Sequence, residues 1–314
     1  MRIRRLLACI AALPLVVATG FVLYHRAVAS WPESGAAVRA RSRPATVLET
    51  VDQPSSIATL LQLADADGPV TTAWLRVPHQ LELDYEILLT YVGHKTGRKI
   101  LDLIPERPDV VLMAMQYAAP YRHETWRQQL VLPRVVGATV HDTVAGGMLA
   151  VAALERRGFD SSRLTVLGVS LGTFFAVLHG AYDEAVPQVL VVHGGGDIYR
   201  VLATMYAGRG KPWTGRLVGL LGHLFLGPFD SLHHVERIAP RSFTMIATRG
   251  DGYFPEESAR RLYARARAPK AIAWRTGAHV RSKRLDIVED LVVQIDTYFD
   301  GHLQFDESEP RPNP

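Results

Sequence analysis

Arg163-Leu164-Thr165-Val166-Leu167-Gly168-Val169-Ser170-Leu171-Gly172 is the stretch whose reading decides the fold. The short apolar run Arg163–Leu167 has the length and residue types of a strand buried on both faces. A small-residue helix is predicted behind it, from Leu171 to Tyr182. Between the two lies G-x-S-x-G. A strand-to-helix turn this tight forces the serine into a strained conformation, and side chains two positions to either side would collide. Gly168 and Gly172 remove those collisions, the turn lifts the Ser170 hydroxyl above the sheet edge, and the helix N-terminus favours developing negative charge nearby. In a chain with 25 glycines the pentapeptide can also arise by chance, so the flanking strand and helix carry the reading. The bland alternative is a glycine-bordered turn with an inert serine.

Outward from this point the chain alternates strand-like runs with helical periodicity. Val70–Val77, Glu86–Val92, Asp109–Met115, Val189–His193, Phe243–Thr248 and Ala271–Arg275 read as strands. His141–Arg157, Pro255–Ala268 and Ile287–Phe299 read as helices, the first stopping before Gly158. Such alternation implies an α/β fold with a mostly parallel, doubly wound sheet covered by helices on both faces. Ligands in such sheets bind at the carboxyl ends of the strands, so functional residues are expected just after strands.

A nucleophilic serine needs a base, and the base needs an orienting acid. After Phe243–Thr248 comes Arg249-Gly250-Asp251-Gly252-Tyr253-Phe254-Pro255, whose glycines let Asp251 face the catalytic edge. An Asx-turn or a helix cap is the alternative role for that aspartate. After the last strand comes Thr276-Gly277-Ala278-His279, with small residues leaving room for an imidazole to reach Ser170. Of the 12 histidines, His279 alone lies in the loop directly after the final strand, following Ser170 and Asp251 in that order.

The order Ser170, Asp251, His279, each after a strand, resembles the α/β-hydrolase superfamily from about Val70 to Phe299. The resemblance implies hydrolysis through a covalent acyl-enzyme, with no metal or organic cofactor. It assigns one oxyanion donor to the backbone N–H of Leu171. The second is expected in the loop after Asp109–Met115, from the N–H of Gln116 or Tyr117 or from the Tyr117 hydroxyl. His193-Gly194-Gly195-Gly196 matches an oxyanion motif of some lipases and esterases, but it follows the nucleophile and reads as a glycine-rich turn near the site. Asp197 beside it is a reserve candidate for the acid. Residues 198–228 interrupt the alternation with aromatic and aliphatic residues where the superfamily carries a helical cap, and an apolar cap suits a hydrophobic acyl substrate. Plain helix packing is the alternative. Gly93-His94-Lys95-Thr96-Gly97-Arg98-Lys99 does not satisfy a phosphate-loop pattern and reads as a polar hairpin, and H-E-x-x-H is absent from the sequence.

Composition narrows the remaining classes. At 314 residues, 48% hydrophobic and 21% charged, the chain suits one large globular domain and not a disordered one. Four of its 35 basic residues (Arg2, Arg4, Arg5 and Arg26) lie in the first thirty, which hold no acid; the remainder balances the 31 acidic side chains. A nucleic-acid-binding face is therefore not supported. The basic start and the uncharged run Leu6–Tyr24 specify export, as an N-terminal membrane anchor or as a signal cleaved after Ala27-Val28-Ala29. The single cysteine, Cys9, lies in that run, so the body has neither a disulfide nor a thiol nucleophile.

The expected organisation is an export signal or anchor over 1–29, a linker over 30–43, a hydrolase domain over 44–305 with its cap at about 198–228, and a disordered tail over 306–314. The expected protein is an exported serine hydrolase acting on a small or lipid-like carboxylic ester. A peptidase or thioesterase with the same residues, or a catalytically silent binding protein of this fold, is the alternative.

Overall fold

The computed structural model describes residues 33–93, 99–118, 132–207, 210–280 and 285–306. The export signal or anchor expected over residues 1–29 and the tail beyond residue 306 lie outside the described residues. In chain order the elements are helix α1 (Gly35–Ala40), strands β1 (Thr46–Asp52), β2 (Ser56–Asp65), β3 (Gly68–Pro78) and β4 (Glu86–Tyr91), helix α2 (Ile100–Leu103), strand β5 (Val110–Met115) and helix α3 (Leu132–Glu155). They continue with β6 (Leu164–Val169), α4 (Gly172–Tyr182), β7 (Gln188–Val192), α5 (Ile198–Ala207), α6 (Pro212–Leu226), β8 (Ser242–Arg249), α7 (Glu256–Arg265), β9 (Lys270–Thr276) and α8 (Leu285–Phe299).

Among the described residues the strands form one nine-stranded sheet in the order β1-β2-β3-β5-β4-β6-β7-β8-β9. From β5 to β9 every pairing is parallel, while β1, β2 and β3 add an antiparallel edge. The parallel strands are buried on both faces because each sends alternate residues into one of two cores. On β4, Ile87, Leu89 and Tyr91 join the core beneath α3 and α4, while Leu88 joins the core beneath α2 and α8. Within α3, Gly137–Glu155 is apolar and long enough to cross a membrane, but 72% of that window is buried inside the fold. It serves as a core helix.

Two sequence expectations change. Residues 30–43 were expected to be a linker, yet α1 forms within them, capped by Ser34 and burying Val38 in the main core. Arg39 reaches from it to the buried Asp183. The hairpin β1–β2 was not expected at all. Its outer strand is largely exposed, so it lacks the alternating burial that marks a strand in sequence.

Candidate active site

The glycine-bordered Ser170 turn sits where β6 meets α4, in the middle of the sheet. Ser170 has φ +56°, the left-handed region that side chains rarely adopt, and its N–H is held by the Val192 carbonyl at 3.0 Å. Both flanking glycines are required by space. A Cβ on Gly172 would be driven into the Tyr91 carbonyl oxygen, and one on Gly168 would lie 2.8 Å from the Gly172 oxygen and 2.9 Å from Thr173 Cα.

The two predicted partners converge on this serine. Ser170 Oγ lies 2.7 Å from His279 Nε2, and His279 Nδ1 lies 2.6 Å from Asp251 Oδ2. A carboxylate only accepts, so this contact places the imidazole proton on Nδ1 and leaves the Nε2 lone pair facing the hydroxyl. The other carboxylate oxygen, Asp251 Oδ1, accepts the backbone N–H groups of Tyr253 at 2.7 Å and Phe254 at 2.9 Å. Tyr253 and Phe254 also stack on the His279 ring, with centroids 4.7 and 5.7 Å away, which fixes its plane. Asp251 and His279 are both buried, whereas Ser170 is partly open. Burial alone would raise the Asp251 carboxyl. His193, His279 and the Phe254 N–H outweigh it and hold the group well below the usual carboxylate range.

His193 is a neighbour that its sequence context hid. It follows β7, is buried, and has φ +50°. Its Nδ1 makes a 2.9 Å hydrogen bond with Thr248 Oγ1 and lies 3.9 Å from Asp251 Oδ2, too far for a direct bond. Its influence on the carboxylate is that of a nearby polar ring. The available signal was positional: His193 and Asp251 follow adjacent strands, β7 and β8. Gly194, Gly195 and Gly196 are packing residues, since added Cβ atoms would collide with Thr173, Ser258 and Leu232. His193, Asp251 and His279 are also the described residues that bring three possible metal-ligating atoms within 4.8 Å of one another. A cation there would have to displace the proton shared by Asp251 and His279.

Asp197 is not brought to His279. It caps α5 through the Arg200 N–H at 3.1 Å, and its other oxygen meets Arg200 and Arg261, each at 2.9 Å. Of the three donors expected from Gln116 and Tyr117, two are engaged elsewhere. The Gln116 N–H donates to the Thr72 carbonyl at 3.0 Å, and the Tyr117 hydroxyl donates to the Val92 carbonyl, where burial raises its pKa. The reason is strand order. β5, which leads into Gln116 and Tyr117, is separated from β6 by β4. The loop that adjoins Ser170 therefore follows β4, and Val92 and Gly93 line the cavity beside the serine. Residues 94–98 of the hairpin expected there lie outside the described residues.

That cavity, about 80 Å³, is walled on its far side by aliphatic residues including Ile100, Ile104, Val280, Leu291 and Ile295. Leu171, the residue after Ser170, is exposed at the N-terminal end of α4.

A parallel sheet that presents a strained serine after a central strand, an acid after β8 and a histidine after β9 defines the α/β-hydrolase fold, and this chain has it. Its structure is similar to the acetyl xylan esterase from Paenibacillus sp. R4, at TM-score 0.55 and 18% identity over 82% of this chain and 92% of that one. It is similar to acetyl xylan esterase 1 from Thermoanaerobacterium sp. JW/SL YS485, at TM-score 0.53 and 14% identity over 82% and 90%. The α/β hydrolase GrgF from Penicillium sp. sh18 matches at TM-score 0.50 and 13% identity over 78% and 99%. No family model matches the sequence, and no curated protein does.

Proposed function

We propose that the protein is a serine hydrolase of carboxylic esters. One observation carries the reading: an unbroken line of short contacts from Ser170 Oγ through His279 to Asp251, at 2.7 and 2.6 Å, beside an apolar cavity. Ser170 Oγ attacks the ester carbonyl carbon as its proton passes to His279 Nε2. Asp251 holds the imidazole in the receiving tautomer and stabilises the imidazolium. The proton then leaves with the alcohol, and water repeats the sequence on the acyl-enzyme. The Leu171 N–H and the backbone of Val92 and Gly93 are the donors best placed for the oxyanion, each worth about 10²–10³ in rate. The acyl group occupies the aliphatic cavity, which favours an alkyl chain over a charged or sugar-like acid. That two of the similar structures are esterases supports ester over amide chemistry.

Arg2, Arg4, Arg5 and the apolar run that follows support export, with the body outside the cytoplasm. Residues 44–305 form the catalytic domain, and α5 and α6 are its cap.

A fluorophosphonate probe should label the protein and fail to label Ser170→Ala. A chain-length series of p-nitrophenyl esters, run beside matched thioesters and anilides, should show esters cleaved fastest. Background rates on all three, or labelling that survives Ser170→Ala, would remove the proposal.

A further inference from the structure

Helix α6 is built inside out for a protein surrounded by water. An amphipathic helix ordinarily turns its large apolar residues inward. Here the inner face is glycine. Gly215 and Gly219 are buried against α5, where added Cβ atoms would stand 2.6 Å from the Ala203 carbonyl oxygen and 2.7 Å from that of Tyr199. Gly222 continues the same face against Leu202. The large residues point the other way: Trp213 is 78% exposed, Leu217 57%, Leu220 56% and Leu221 44%. Their spacing puts all four on one stripe. Close glycine contact between helices, with bulky apolar side chains outward, is the arrangement that hydrocarbon surroundings select.

Charge identifies the surroundings further. Residues 198–228 contain Arg200, Arg209, Lys211 and Arg216 and no acidic residue. Arg200 is spent on Asp197, but Lys211 and Arg216 have no carboxylate partner among the described residues. Arg216 lies 4.8 Å over the Trp213 ring, at the border of the apolar stripe. Trp and Leu flanked by cations suit an anionic lipid surface, with indole at the headgroup level and cations among the phosphates. A second copy of the chain fits less well, because a two-fold contact through this face would set like charges against each other. Chain length adds reach. If Leu6–Tyr24 spans a bilayer, only ten residues separate it from α1, a tether of at most about 35 Å.

We propose that the exposed stripe Trp213, Leu217, Leu220 and Leu221 docks on the surface of an anionic bilayer, with Lys211 and Arg216 among the headgroups. The docking depends on the geometry of α6 and not on catalysis.

The test uses the full chain with Cys9→Ser, an environment-sensitive fluorophore at Leu220→Cys, and reconstitution into phosphatidylcholine vesicles with or without phosphatidylglycerol. The apolar N-terminal run can hold the protein in both, so only the label reports the face. The expected result is a blue shift and several-fold brighter emission with phosphatidylglycerol, weakened by molar salt. The same label at the exposed Leu83, on the β4 side of the body, should stay unchanged. Adding Leu217→Glu, which replaces a solvent-facing side chain and spares the core, should reverse the shift at position 220. An unshifted label at 220 with phosphatidylglycerol overturns the proposal. So does an equal shift at position 83, or a shift that follows protein density instead of lipid composition, the signature of self-association.

Discussion

Among the described residues two aspartates, Asp251 and Asp183, are buried against a histidine that also meets a hydroxyl, and the two settings differ. Asp251 and His279 meet at 2.6 Å above the sheet edge, and the second imidazole nitrogen faces Ser170 beside a cavity. Asp183 and His179 meet at 3.4 Å at the end of α4, both fully buried, and the second nitrogen faces the Tyr91 hydroxyl at 3.0 Å. Around Tyr91 there is no room for a substrate, since even a Cβ on Gly147 would overlap its hydroxyl. Burial pushes that phenol well above its usual pKa and keeps it protonated. Arg39 completes the core pair by neutralising Asp183. The same residue types thus line up with a strained serine in one place and form a packed core cluster in the other. What separates them is whether the imidazole's second partner is a strained, partly open serine or a packed tyrosine.

The widest separation between the pairs is expected from asparagine at each acid. Asp251→Asn should cut kcat about 10⁴-fold per folded molecule by releasing the wrong imidazole tautomer. Asp183→Asn should leave turnover per folded molecule unchanged while lowering unfolding free energy by about 3 kcal/mol, because Arg39 and His179 lose their partner. Steady-state hydrolysis and denaturant titration of both variants would read this contrast. Equal activity losses would erase it.

Acid should act on both pairs through stability. Both carboxyls are held low in the folded protein: burial opposes this, but His179 and Arg39 bring Asp183 to about 2, and two histidines with the Phe254 N–H lower Asp251 further below its usual range. A depressed carboxyl contributes stability above its unfolded pKa of about 3.9 and loses it as pH falls through the folded value. Unfolding free energy should therefore drop between about pH 4 and pH 2, with a shallower slope in Asp183→Asn. A parent protein with a flat profile over that interval would contradict the assignment.

Smaller effects sharpen the site's side of the comparison. Leu291→Ala enlarges the aliphatic cavity beside Ser170 and should shift preference towards longer acyl chains, changing the ratio of kcat/KM between neighbouring chain lengths by about tenfold. His193→Asn should lower kcat roughly fivefold with KM unchanged, the value of about 1 kcal/mol for one lost positioning contact. An unchanged rate would make His193 a packing residue only.

The parts of this site that were legible in the sequence are those set by local chemistry. Gly168 and Gly172 announce the serine turn because the crowding they relieve comes from residues close in the chain. Asp251 and His279 were legible because each follows a strand buried on both faces, whose apolar run is easily read. The hairpin β1–β2 was not legible, since an exposed edge strand lacks that pattern. Asp197 and Asp251 offered similar sequence contexts, each beside a glycine after a strand, and nothing local told the capping residue from the one that meets His279.

Three matters belonged to the tertiary structure alone. That β4 and not β5 lies next to β6 puts Val92 and Gly93, rather than Gln116 and Tyr117, beside Ser170, because strand order is a long-range choice absent from any single segment. That α6 turns its glycines inward reverses what its leucines would suggest, because close approach of the α5 backbone decides which face is buried. And that His279, rather than another of the 12 histidines, reaches a strained hydroxyl depends on three loops from distant parts of the chain being held at one sheet edge. Sequence determined which groups could do chemistry, through turns and buried strands that are local in origin. Only the packed sheet decided which of those groups touch, because contact between remote segments is settled by the order and register of the strands that carry them.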